Sequence, residues 1–262
     1  MRIRGAARTD RGRVRRENQD NFGLATTLGL GFVADGMGGH AGGKRASEEA
    51  ARVITDALTA DATSGMDGEL RLRAAIEAAN RKVWALPQTE PALHGLGTTV
   101  AAFLVDGDVG HVAHVGDSRV YRLRNGSIDV LTHDHSYLND LAARGVELTD
   151  PAMRARYESV LTRAIGVAAS VDVEIATVPV EPGDTYLLCS DGVYRVLQPA
   201  DLAAIVAAGG EDLDAICETI IARTNDGGGP DNCTVVLLRV EPDGAGSDRD
   251  DAGGDPDGAG AS

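Results

Sequence analysis

The sequence predicts an α+β domain built in layers, with helices covering the faces of antiparallel sheets. Three observations predict it. Apolar runs of strand length recur between turn signals through most of the chain. Two amphipathic helical stretches follow one another in the N-terminal third, and a second helical pair precedes the last strand. The order of strands, two helices, many strands, helices and strand suits this class better than an alternating βαβ fold with a parallel sheet.

Taken in order, Ile3 to Thr9 and Asn21 to Thr27 read as short strands, joined by the polar stretch 10–20. The apolar run Leu28 to Val33 is a buried strand leading into Ala34-Asp35-Gly36-Met37-Gly38-Gly39-His40. Ala46 to Leu58 is helical, with Ala50, Val53, Ile54 and Leu58 on one face. Glu69 to Leu86 is a second helix carrying Leu72, Ile76, Ala79 and Val83 at helical spacing, and Pro87 to Gly97 is a turn-rich connection. Strands then come in quick succession: Thr98 to Val105, Val109 to Val115, Arg119 to Leu123 and Ile128 to Leu131. Asp106-Gly107 and Asn125-Gly126 supply hairpin turns between them. The polar, partly helical segment 132–159 interrupts this pattern and reads as a flap. Val171 to Val180 and Thr185 to Cys189 are strands, Ala200 to Ala208 and Leu213 to Ala222 are helices, and Cys233 to Val240 is the last strand. Residues 241–262 are rich in Gly and Asp and form a separate acidic tail, expected to be disordered.

Composition narrows the function classes. A net charge of −15 argues against a nucleic-acid partner, which needs a basic face, and favours cations. No segment approaches the length of an apolar membrane span, and no apolar signal region follows the first charged residues. Cys189, Cys217 and Cys233 are odd in number, far apart and set in apolar runs, so neither a disulfide framework nor a zinc spacing follows. The expectation is a reduced, cytoplasmic protein.

The chemistry is carried by aspartates beside glycine at the ends of apolar strands: Asp35, Asp117, Asp191 and Asp231, with Asp20 just before a strand. Any one alone is an ordinary turn residue. Five in similar placement form a pattern, because clustered carboxylates repel unless protonated or neutralised by a cation. Hard oxygen donors without Cys or His suit Mg²⁺ or Mn²⁺.

The stretches Arg15-Arg16-Glu17-Asn18-Gln19-Asp20, Asp35-Gly36-Met37-Gly38-Gly39-His40, Gly97-Thr98-Thr99, Gly116-Asp117-Ser118-Arg119, Ser190-Asp191-Gly192 and Gly228-Gly229-Pro230-Asp231-Asn232 occur in the order of the PPM family. The chain therefore resembles the metal-dependent, type 2C Ser/Thr protein phosphatases, in their compact bacterial form, over roughly residues 5–240. The resemblance implies a four-layer αββα sandwich and hydrolysis of phosphoserine and phosphothreonine esters by a metal-bridging water. It implies two Mn²⁺ or Mg²⁺ ions in the core site, bridged by Asp35, with the Gly36 carbonyl on one of them. Asp191 and Asp231 complete the first ion's site, and Asp20 supports the second. Asp117 with Asp191 resembles the family's site for a third ion, and Arg15 matches the arginine that grips the substrate phosphate. Phosphorylated proteins are the implied partners, together with a Ser/Thr kinase and its substrates, and the chain is expected to act as a monomer.

Three positions depart from the family pattern. Gln19 stands where many members have Glu. Met37 stands where the animal enzymes have the histidine proposed as general acid, which leaves His40 as the nearest candidate for that role. Arg195 stands where an acidic or small residue is usual.

Two rival readings come from the same sequence. Cys189-Ser190-Asp191-Gly192-Val193-Tyr194-Arg195 fits the Cys-x-x-Gly-x-x-Arg phosphate loop of cysteine-dependent phosphatases, in which a thiolate attacks phosphorus without a metal. Against it, Asp191 would put a carboxylate inside an anion-binding loop, and the other acidic corners would go unexplained. A non-catalytic sensor of phosphoproteins is the second rival; it would be expected to have lost one of the carboxylates, and none is lost.

Overall fold

The computed structural model of the protein describes residues 1–38 and 42–242. The chain begins with strands β1 (Arg2–Asp10), β2 (Asp20–Ala25) and β3 (Leu30–Met37), then helices α1 (Gly42–Ala60) and α2 (Gly68–Thr89). Next come β4 (Gly97–Thr98), β5 (Val100–Asp106), β6 (Val109–Val115), β7 (Arg119–Arg124) and β8 (Ser127–Val130). Two short helices, α3 (Tyr137–Ala143) and α4 (Pro151–Tyr157), precede β9 (Glu174–Pro179) and β10 (Thr185–Cys189). The last elements are α5 (Asp191–Tyr194), α6 (Pro199–Gly209), α7 (Leu213–Asp226) and β11 (Cys233–Glu241).

The strands form two sheets with antiparallel pairing throughout, ordered β1-β11-β10-β7-β8 and β2-β3-β5-β6-β9, with β4 beside β3. Side chains alternate across each strand, so one strand serves two cores. On β11, Cys233, Val235 and Leu237 pack toward α6 and α7, while Val236, Leu238 and Val240 fill the space between the sheets. On β5, Val100, Ala102 and Leu104 face α1 and α2, while Ala101 and Phe103 face the other sheet. Strands buried on both faces explain the near-continuous apolar runs of the sequence. The result is four layers, helix, sheet, sheet, helix, as the family resemblance implies. Few aromatics are needed: Phe103 stacks on Tyr186 at 3.8 Å between the sheets, and aliphatic side chains fill most of the rest.

The sequence-based boundaries need several corrections. Helix α2 runs through Pro87 to Thr89 instead of stopping before it. The N–H that proline lacks falls in the last turn, and Glu90 N–H closes the helix onto the Leu86 carbonyl (2.9 Å). The strand expected from Thr98 is split at Thr99, whose N–H is drawn to the Asp35 carbonyl (2.8 Å). Asp20 opens β2 rather than preceding it, and β3 continues past Asp35 to Met37. Glu241, expected to begin the tail, ends β11 opposite Arg2 and accepts a hydrogen bond from Arg4 (3.0 Å). The remainder of the expected tail from residue 243, and His40, lie outside the described residues.

Candidate metal centre

The antiparallel order gathers the acidic corners at one end of the sandwich. Asp20 at the start of β2 lies directly opposite Asp35 near the end of β3. Asp117 follows β6, Asp191 follows β10 and Asp231 precedes β11, so both sheets contribute. Arg15, Asp35, Gly36, Asp117, Asp191, Arg195 and Asp231 line a common cleft of about 410 Å³. Asp20 lies behind that surface and is buried.

Each carboxylate is held by the chain around it. Asp20 Oδ2 accepts from Ser190 Oγ and Thr234 Oγ1, both at 2.7 Å. The Asp35 peptide is clamped from both sides: its N–H donates to Thr99 Oγ1 (3.0 Å), and its carbonyl accepts from Thr98 Oγ1 (2.9 Å). Thr99 Oγ1 in turn shares a hydrogen bond with Ser118 Oγ (2.7 Å). Gly36 has no room for a side chain, since a Cβ there would strike the Gly43 carbonyl and come within 2.6 Å of the Gln19 carbonyl. At Gly192, a Cβ would collide with the Asn232 carbonyl, so glycine lets the Asp191 and Asp231 loops close together.

Like charges directly opposite each other in a sheet are destabilising, yet the fold places Asp20 across from Asp35. The charges of Asp20, Asp191, Asp117 and Asp231 all bear on the Asp35 carboxylate. Burial, then the neighbouring carboxylates, hold Asp35 well above the usual carboxylate range. Burial foremost pushes Asp20 and Asp117 up to about 7 and raises Asp191 as well. Asp20 Oδ1 and Asp191 Oδ1 are buried and find no donor. Buried acceptors without donors beside further carboxylates make a cage for a hard cation. The chemistry of this donor set fits Mg²⁺ or Mn²⁺.

Arg15 stands at the rim, half exposed, with Nη2 at 2.6 Å from Asp231 Oδ2. Sequence reasoning missed how it is placed. Asn232 pins the loop that carries it, accepting from Gln19 N–H (2.9 Å) and donating to the carbonyls of Arg11 (2.8 Å) and Glu17 (2.9 Å). Asn232 sits in a quoted motif, but one residue type cannot announce three long-range bonds. Ser190 and Thr234 were missed for the same reason.

Segment 132–159 is fixed at its start. His135 N–H donates to the Gly116 carbonyl (2.9 Å), and Gly116 N–H donates to His135 Nδ1 (3.1 Å). His135, His114 and Glu174 bring ligand-type atoms within 4.8 Å of one another. The Gly116 bond, however, leaves the ring proton of His135 on Nε2, facing Glu174 Oε2 (3.1 Å). An Nε2–H so placed offers no lone pair to an ion, and His114 stacks on the His135 ring at 4.5 Å, so the trio is a packed polar cluster beneath segment 132–159.

The Cys-x-x-Gly-x-x-Arg alternative finds no support in this geometry. Cys189 is fully buried among the side chains facing α5 to α7, its thiol is pushed up by burial, and it does not line the cleft.

Known proteins match the sequence and the fold. The model of the protein phosphatase 2C family matches residues 4–216. The serine/threonine phosphatase stp of Listeria monocytogenes is 37% identical over 236 residues, covering 88% of this chain and 93% of that protein. PstP of Mycobacterium tuberculosis is 36% identical over 239 residues, which is 91% of this chain but 45% of PstP. The crystal structure of M. tuberculosis PstP/Ppp superimposes with a TM-score of 0.81 at 33% identity, covering 92% of this chain and 100% of that one. The PstP catalytic domain in complex with two manganese ions matches with a TM-score of 0.80 at 32% identity, covering 92% of this chain and 99% of that one. The chain belongs to the protein phosphatase 2C family, the metal-dependent Ser/Thr protein phosphatases.

Proposed function

We propose that the cleft hydrolyses phosphoserine and phosphothreonine esters of proteins, with two Mn²⁺ or Mg²⁺ ions held among its aspartates. The observation that carries this reading is the pairing of buried Asp20 with Asp35 at the cleft, together with the donorless Oδ1 atoms of Asp20 and Asp191. Asp35 would be shared by both ions and the Gly36 carbonyl would bind one of them, while Asp191 and Asp231 would complete one site and Asp20 would support the other. When bound, the ions supply an activated water and offset the charge of the phosphate. The chain's own part is to orient. Thr98, Thr99 and Ser118 fix the Asp35 peptide, and Ser190 with Thr234 fixes Asp20, so the ligands are set before ions or substrate arrive. Arg15 is the phosphate grip, because its planar fork matches two phosphate oxygens and its exposed position faces an incoming substrate.

Phosphorylated proteins are the substrates, and a Ser/Thr kinase acting on the same proteins is the natural counterpart. Three free, buried cysteines support a reducing, cytoplasmic setting. No helix among the described residues is long and apolar enough to cross a membrane. The chain acts as a monomer in this reading.

The two adjacent arginines test it. Arg15→Ala should lower kcat/KM on a phosphothreonine peptide by about tenfold to a hundredfold, the worth of a lost charged hydrogen bond. It should leave Mn²⁺ binding nearly intact. Arg16→Ala should change either quantity little. Equal damage from both variants would show that the wrong arginine has been assigned.

A further inference from the structure

All three departures from the family pattern line the cleft, and Arg195 is the one that brings a cationic side chain to an assigned carboxylate. It follows α5, four residues after Asp191, and this spacing returns its guanidinium to Asp191 Oδ2 at 2.7 Å. Asp117 lines the same cleft. From the other side, Nη1 reaches Ser159 Oγ in the flap (3.3 Å). The side chain is three-quarters covered, with 25% exposed.

The neighbours hold this arrangement in place. Tyr194 donates its hydroxyl to the Asp117 carbonyl (3.0 Å). Arg119 lies 3.7 Å from the centre of the Tyr194 ring and is itself locked to Asp134 by two hydrogen bonds of 2.9 and 2.7 Å. Asp117, Tyr194 and Arg195 are thus packed as a unit. Asp191 divides its oxygens, Oδ2 going to Arg195 while Oδ1 remains without a donor.

We propose that the Arg195 guanidinium takes the place of a third metal ion between Asp117 and Asp191, so that this chain holds two ions where those carboxylates would otherwise recruit another. The inference rests on the metal reading of the cleft. A cation on a four-residue tether competes with a free ion for the Asp191 Oδ2 oxygen, and it repels any ion approaching Asp117. The same side chain ties the flap to the cleft through Ser159, a link an ion bound to the two aspartates alone would not make. Arg195 is therefore a positioning residue, acting on substrate through Asp117, Asp191 and the flap.

The test is ion stoichiometry, measured by equilibrium dialysis against millimolar Mn²⁺ with metal analysis and by calorimetric titration. Wild type should take up two ions. Arg195→Ala, and Arg195→Gln as a bulkier neutral variant, should take up one more, of lower affinity. Arg195→Lys keeps the charge and should stay at two. A wild type holding three ions overturns the proposal without reference to any variant. A wild type and both neutral variants that all hold two also overturn it, while leaving the two-ion reading intact. A wild type that takes up no Mn²⁺ overturns both.

Discussion

Cys189 and Asp191 stand two residues apart at the end of β10 and serve opposite purposes. Cys189 packs into the core beneath the C-terminal helices, whereas Asp191 lines the cleft. Cys189→Ser should therefore keep most of the activity, with a modest stability loss from placing a hydroxyl in an apolar site. Asp191→Asn should lose activity by about a hundredfold or more, since a neutral amide cannot replace a charged ligand to a hard cation. Turnover of a phosphopeptide by the two purified variants decides between a metal mechanism and a thiolate one. An inactive Cys189→Ser beside an active Asp191→Asn would reverse the assignment. At this scale the sequence was most informative for residues whose chemistry needs no context. Aspartates in glycine-rich turns single out Asp35, Asp117, Asp191 and Asp231 as a set, and glycine is necessary where backbones touch, as at Gly36 and Gly192. Residues that act by reaching across the fold, such as Asn232 to Arg11 and Thr234 to Asp20, were not legible, because their partners lie more than two hundred residues away.

Strand identity was legible from apolar runs and turn residues, because alternation and hairpin glycines are local properties. Sheet membership was not. β10 and β11 pair as neighbours although three helices separate them in the chain, and β1 closes on β11 from the other end. Loop boundaries shifted where tertiary bonds overrode local preference, as at Thr99. One ion pair ties together two inner neighbours of the first sheet, β7 and β10. Arg124 on β7 grips Asp184 just before β10 through Nε (2.6 Å) and Nη2 (2.7 Å), and Tyr186 adds its hydroxyl (3.0 Å). Asp184 is almost fully buried, and this arrangement holds its carboxyl below the usual range. Arg124→Ala should destabilise the protein by about 2 kcal/mol, the cost of leaving a buried acceptor short of its charged donor. Denaturant unfolding measures this, and a change within about 0.5 kcal/mol would show the pair to be as weak as an exposed one.

For the molecule as a whole, the carboxylate cage couples folding to pH and to metal. Asp20 and Asp117 rise from 3.8 to about 7 in the folded protein, mainly through burial. Between about pH 4 and pH 7 the metal-free folded state therefore holds protons that the unfolded chain has released, so stability falls as pH rises through that window. Below it both states are protonated and the penalty is absent. In EDTA, the melting temperature should drop by several degrees from about pH 5 to about pH 8. Mn²⁺ should remove most of that drop, because a cation that binds only the folded state stabilises it where the carboxylates are charged. A metal-free melting temperature that rises over this range would contradict the clustering of the carboxylates.

The central claim is that this cage works as a metal-dependent phosphatase, and phosphate release from a phosphothreonine peptide tests it most directly. The purified protein should release phosphate with Mn²⁺ or Mg²⁺, stop when EDTA is added, and recover when the metal is restored in excess. Undiminished phosphate release after exhaustive dialysis against EDTA would contradict it.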